Sequence, residues 1–121
     1  KESRGKKFFA CDGGLNHHLA AAGTFGAALR SNFALRNLSR DGEDITCNIC
    51  GPSCNPTDLL GVDTRISEPH EGDLLGILKS GSYGLTARPI LFLSHHTPVE
   101  LVRRNGEIVV GRRARSAVEF N

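Results

Sequence analysis

The chain has 121 residues, 39% hydrophobic and 23% charged, which suits one small globular domain and leaves little room for a second. Its 15 Lys and Arg against 13 Asp and Glu give a formal charge of +2, far short of the basic excess that a nucleic-acid surface needs. No apolar run approaches the roughly 18 to 20 residues of a membrane span, and no signal peptide opens the chain, so the sequence predicts a cytoplasmic protein with neither a nucleic-acid nor a membrane partner.

In chain order, "KKFFAC" reads as a short apolar strand and "DGG" as the turn that ends it. "NHHLAAAGTFGAALR" is alanine-rich with a capping candidate at Asn16, but Gly23 and Gly26 interrupt it and predict only a short helix. Strand-like segments follow: "NFALRNL", "DITCNICG", "DTRISEP", "GDLLGILKSG", "PVELVRRN" and "EIVVGRRA", separated by turns such as "SRDGED" and "RNGE". Short strands without crossover helices predict an all-β fold, mainly antiparallel, a barrel or sandwich rather than a parallel α/β sheet. The mildly basic "RRNGEIVVGRRARS" reads as two solvated strands around a turn, not as a phosphate-binding arm. The start at Lys1 and the absence of methionine predict a piece of a longer protein.

Four cysteines, Cys11, Cys47, Cys50 and Cys54, raise the question of a disulfide framework or a zinc site, and "CNIC" has the C-x-x-C spacing. On an extended strand Cys47 and Cys50 face opposite ways, which argues against a shared metal even with His17 or His18 as further ligands. Small buried thiols in a reducing compartment are the reading that remains. Cys54 differs. In "GPSCNPTDLLG" it stands between Gly-Pro and Asn-Pro pairs, which fix φ and push their predecessors out of the helical region, so the loop presents the thiol. The apolar strand from Asp73 to Leu78 leads into Gly81-Ser82-Tyr83-Gly84, whose phenol either packs a loop or meets a ligand. The paired histidines of "NHHL" and "SHHT" read as surface or hydrogen-bonded rings rather than a catalytic pair. No nucleophile elbow, phosphate loop or paired-carboxylate pattern occurs, and composition and spacing give no reaction.

Three motifs in order add to this: "CDGGLNHHLAA", then "GPSCNPTDLLG" with "EGDLLGILKSGSYG", then "HTPVELVRRNGE". Together, over nearly the whole chain, they resemble the C-terminal β-domain of the fold-type III pyridoxal-phosphate decarboxylases, the diaminopimelate, ornithine and arginine decarboxylase family. The resemblance implies a β-barrel or sandwich domain over residues 1–121, of the type also found in alanine racemase, with short helical turns. It implies an N-terminal (β/α)8 barrel, absent here, that carries the cofactor-binding lysine. Lys1, Lys6, Lys7 and Lys79 match nothing in that lysine's motif, so this chain alone is expected to be inactive. It further implies a homodimer in which this domain completes the partner's active site, with pyridoxal 5'-phosphate as cofactor and no metal.

In that frame Cys54 matches the catalytic thiol facing the cofactor across the interface, and Tyr83 matches the phenol on the cofactor phosphate. Asn55 and Asp58 match substrate or interface positions; the plainer alternative for Asp58 is a carboxylate that caps a turn before "LLG". The chemistry suits these residue types. Once carbon dioxide leaves, a proton must reach the substrate's α-carbon, and thiols, which ordinarily titrate near about 8.5, are acidic enough to give one near neutral pH. A phenol on a doubly charged phosphate makes a charge-assisted, strong hydrogen bond.

Two departures bear on the substrate. Diaminopimelate decarboxylases of this family follow the thiol with glutamate, which holds the distal amine, and place an arginine eight positions after the "DGG" aspartate for the distal carboxylate; this chain has Asn55 and Ala20 there. Losing buried charged partners costs orders of magnitude in discrimination, so free diaminopimelate is not the expected substrate. "Cys-x-Pro-x-Asp" with "LLG" and "SYGLTA" resembles the branch acting on aminoacyl groups tethered to a carrier protein, the butirosin type, or the exosortase-associated branch. The alternatives are a diaminopimelate- or ornithine-type enzyme acting on a free amino acid, an alanine racemase, and a stand-alone β-domain used for binding or dimerisation.

Overall fold

The computed structural model describes residues 1–23 and 31–120. Its strands are β1 (Glu2–Ser3), β2 (Lys6–Ala10), β3 (Ala34–Asn37), β4 (Asp44–Cys50), β5 (Leu59–Ser67), β6 (Leu75–Leu78), β7 (Glu100–Arg104) and β8 (Glu107–Arg112). They form a four-stranded sheet in the order β1-β2-β4-β5 and two pairs, β3-β6 and β7-β8. All pairings are antiparallel except β2 with β4, which run parallel through Phe8↔Asn48 to Ala10↔Cys50. The all-β expectation holds, and the described strands close no barrel.

Alternation along β4 builds the core. Ile45, Cys47 and Ile49 turn to one face, where Cys47 and Ile49 join Ala21, Leu60 and Ile66 in the buried cluster. Ile49 is fully buried, and removing a side chain of that size from water contributes roughly 1.5–3 kcal/mol. Leu35 of β3 and Leu75 and Ile77 of β6 pack on the same cluster, so the β3-β6 pair covers the apolar face of the larger sheet. Between the two buried aliphatic positions Asn48 faces the other way at a shift in register, and its Oδ1 accepts the Asp63 amide at 3.1 Å. That bond satisfies a buried amide where the ladder is interrupted.

Three boundaries differ from the sequence reading. β5 begins at Leu59, not Asp63, because Leu60 and Gly61 are buried and pair back onto β4 through Ile49↔Gly61 and Cys50↔Leu59. β6 begins at Leu75; Asp73 is drawn out of it by its carboxylate, which caps the His70 amide. The segment expected to be a short helix forms hydrogen-bonded turns over 15–23, and the remainder, 24–30, lies outside the described residues. Asn16 does not cap it: both of its amide atoms are buried with no partner among the described residues.

Candidate active site

The loop from Gly51 to Asp58 is closed by its own hydrogen bonds. The Gly51 amide donates to the Asp58 carbonyl at 2.9 Å, the Asp58 amide to the Asn55 carbonyl at 2.9 Å, and the Leu59 amide to Thr57 at 2.8 Å. Asn55 Oδ1 accepts both the amide and the hydroxyl of Thr57, at 2.9 and 2.8 Å. With Pro52 and Pro56 fixing two φ angles, little freedom is left. Asp58, matched by the resemblance to a substrate or interface position with a turn-capping carboxylate as the alternative, is buried within this chain at 2% exposure. Its Oδ1 accepts the Leu15 amide at 2.7 Å and its Oδ2 the Ser53 amide at 3.0 Å. Two glycines make the slot: a Cβ on Gly14 would lie 2.5 Å from Oδ1, and one on Gly51 would strike the same carboxylate.

Within this frame Cys54 is exposed. The other three thiols are not: Cys47 is buried, Cys11 and Cys50 are half-buried, and burial pushes all three up from their ordinary pKa, which keeps them protonated and inert. All four cysteines are free. No three His, Cys, Asp or Glu side chains gather as a metal site among the described residues.

Tyr83 stands apart from this loop, at the start of a one-turn helix, α1 (Tyr83–Thr86), where the sequence predicted an open loop. It is 61% exposed, while Gly84 beside it is buried, with room for no side chain between Ser80 and His18. His18, read from the sequence as a surface or hydrogen-bonded ring, is the hydrogen-bonded kind, and its burial is what the sequence did not announce. The ring is buried and edge-on to Phe33, and its Nδ1 accepts the Ala21 amide at 3.1 Å. An Nδ1 that accepts places the proton of the neutral ring on Nε2, and burial lowers the pKa and favours that neutral form. The turn segment 14–18 thus reaches residues near both candidate groups: the Leu15 amide donates to Asp58 of the Cys54 loop, and His18 abuts Gly84, next to Tyr83. The signal for this in the sequence was the glycines, Gly14, Gly51 and Gly84, each at a close approach.

A broad cleft of about 1370 Å³ runs between β2, β6 and β7, lined by residues such as Phe9, His17, His18, Leu75, Leu85 and Leu101. Cys54 and Tyr83 are not among its lining residues; both lie on open surface. An exposed thiol and an exposed phenol on tightly held backbone fit a cofactor approached from outside the chain. Lys6 and Lys7 are paired with Asp63 and Glu68 at 2.8 and 2.6 Å, and the Glu68 contact raises the Lys7 pKa, opposite to what a nucleophilic amine requires.

Residues 1–81 match the family described as pyridoxal-dependent decarboxylase, C-terminal sheet domain, and the chain belongs to that family. Among named relatives, it is 41% identical to the L-glutamyl-[BtrI acyl-carrier protein] decarboxylase of Niallia circulans over 97% of this chain and 28% of that one. It is 30% identical to the diaminopimelate decarboxylase of Methanothermobacter thermautotrophicus over 88% of this chain and 24% of that one. The chain therefore spans about a quarter of the length of these relatives. In three dimensions it resembles the diaminopimelate decarboxylase of Helicobacter pylori crystallised with L-lysine, with a TM-score of 0.79 and 27% identity over 99% of this chain and 28% of that one. A likeness to the M. jannaschii diaminopimelate decarboxylase, TM-score 0.82 at 21% identity over 95% of this chain and 25% of that one, shows the same fold.

Proposed function

We propose that residues 1–121 are the C-terminal domain of a homodimeric pyridoxal-phosphate-dependent decarboxylase whose N-terminal barrel lies outside this chain. In this reading Cys54 and Tyr83 are lent across the subunit interface. The observation that carries it is Cys54: one exposed thiol among four, on a loop whose neighbouring backbone and side-chain groups are engaged within the chain. A structural cysteine gains nothing from that arrangement, whereas a proton donor needs a fixed position open to an incoming substrate. The cofactor, when bound, supplies the electron sink that lets carbon dioxide leave. Cys54 then gives its proton to the α-carbon, and Tyr83 donates its hydroxyl hydrogen to the phosphate. The N-terminal barrel would cover part of the apolar surface left open here, including Leu101, Ile108 and Val110.

The substrate proposed is an aminoacyl group tethered to a carrier protein. The named relative with that substrate shares 41% of its matched residues with this chain. The site also lacks the charges that a free diamino diacid needs. Asn55 is neutral and its Oδ1 is occupied by Thr57, while position 20 is an alanine. Steady-state assays of the complete enzyme with glutamyl- and aspartyl-carrier protein and with free diaminopimelate, ornithine and arginine test this. The expected result is a kcat/KM for a carrier-linked substrate at least about a hundredfold above that for free diaminopimelate, the scale set by missing charged partners. Efficient turnover of free diaminopimelate would overturn the substrate assignment.

A further inference from the structure

Among the described residues no hydrogen bond to the Cys54 thiol is seen; what locates it is the backbone of residues 51–58, on which the Asp58 carboxylate acts. The carboxylate reaches in two directions. Oδ2 takes the amide of Ser53, immediately before Cys54, at 3.0 Å, and Oδ1 takes the amide of Leu15 from the turn after β2 at 2.7 Å. The main chain of Asp58 closes the loop from the other end, donating to Asn55 and accepting from Gly51, both at 2.9 Å. Four of its polar contacts therefore meet three residues of the Cys54 loop and one of the strut beneath it. Gly14 and Gly51 are packed so closely on the carboxylate that it has no second place to go.

We propose that Asp58 is a positioning residue for the proton transfer, fixing the height and direction of the Cys54 loop through Ser53 while anchoring it to Leu15. The inference rests on the reading of Cys54 as proton donor. Asp58 touches neither substrate nor cofactor. Each of its two carboxyl oxygens accepts one backbone amide, an arrangement that an amide side chain, with one oxygen and one NH2, does not reproduce. In Asp58→Asn one of the two amides faces an NH2 group, donor against donor, and that end of the clamp opens. The thiol is still present, but its proton is delivered less accurately. Some cycles then place the proton on the cofactor's C4′ instead of the α-carbon; hydrolysis by water releases a carbonyl product and leaves the substrate nitrogen on the cofactor as pyridoxamine phosphate.

The experiment uses the complete enzyme and compares wild type, Asp58→Asn and Cys54→Ala in two readouts. The first is the ratio of pyridoxamine phosphate formed to amine product, which does not depend on how much enzyme is folded. The second is amide hydrogen exchange over 12–18 and 51–58 with no substrate present. For Asp58→Asn the expected result is a rise of about 10- to 100-fold in the abortive ratio, the scale of one lost charge-assisted hydrogen bond, and faster exchange at Ser53 or Leu15. Faster exchange with an unchanged ratio would overturn the proposal and leave Asp58 a stabilising group only; unchanged exchange would overturn the clamp itself. If Cys54→Ala leaves the ratio at the wild-type value, the fault lies in the Cys54 reading and not in the clamp. Should Asp58→Asn yield no folded enzyme, Gly14→Ala, whose methyl would press on Oδ1, is expected to raise the ratio in the same direction, and no change there would count against the proposal.

Discussion

At the residue scale, the sequence announces the exposure of Cys54 but not the burial of Asp58 and His18. The exposure of Cys54 was legible because two prolines act on φ directly, a local effect that needs no partner to be known. The burial of Asp58 was not, since an acid before "LLG" reads as a turn-former until Leu15, 43 positions away, is seen to donate to it. The hydrogen-bonded reading of His18 holds, but its burial was not legible for the same reason: Phe33, against which the ring sits, is 15 positions away. Tyr83 yields a sharper expectation. It is 61% exposed at the start of α1. In the complete enzyme Tyr83→Phe is expected to weaken cofactor retention by about 10- to 100-fold, the scale of one hydrogen bond to a charged phosphate, with a smaller effect on kcat. Fluorescence titration of cofactor release measures it, and unchanged retention would detach Tyr83 from the phosphate.

The elements follow the same rule, that local chemistry is readable and long-range pairing is not. The hairpin β7-β8 was legible from "RNGE": Asn105 and Gly106 both take positive φ, 52° and 86°, as a two-residue hairpin turn requires. The parallel pairing of β2 with β4 was not, because nothing between Ala10 and Asp44 announces that the chain returns in the same direction. Asp73 shows how a side chain trims an element. Its carboxylate takes the Arg40 guanidinium at 2.7 Å, the Asn37 amide group at 2.9 Å and the His70 backbone amide at 2.9 Å. The Arg40 contact, followed by those to Asn37 and His70, holds the carboxyl well below the usual range. A group with a depressed folded pKa stabilises above its unfolded pKa, about 3.9 for aspartate, and loses that contribution as pH falls further. Thermal unfolding should therefore show Asp73→Asn less stable than wild type at pH 6, with the gap narrowing steadily from about pH 4 downward. A gap that stays constant with pH would show that the ion pair to Arg40 is not its source.

For the molecule as a whole, what the chain leaves open is as informative as what it packs. Among the described residues the contiguous buried apolar cluster is small, five side chains from β4, β5 and the turn after β2, and the β7-β8 hairpin contributes none of them. A two-stranded hairpin solvated on both faces is marginal by itself, and Leu101, Ile108 and Val110 are each more than half exposed. Cys54 and Tyr83 are exposed and line no part of the main cleft, and in the proposed reading they are one half of a composite site. The family resemblance supplied the other half as an expectation, a barrel with the cofactor-binding lysine, which the composition and spacing of the 121 residues do not announce. The most direct measurement mixes two inactive complete enzymes, one carrying Cys54→Ala and the other lacking the cofactor-binding lysine of the barrel, with subunit exchange followed by a tag. Each heterodimer would hold one composite site with both groups intact, so the account predicts that decarboxylase activity reappears in proportion to exchange. Exchange without any return of activity would contradict it, and Cys54 would not be acting across the interface.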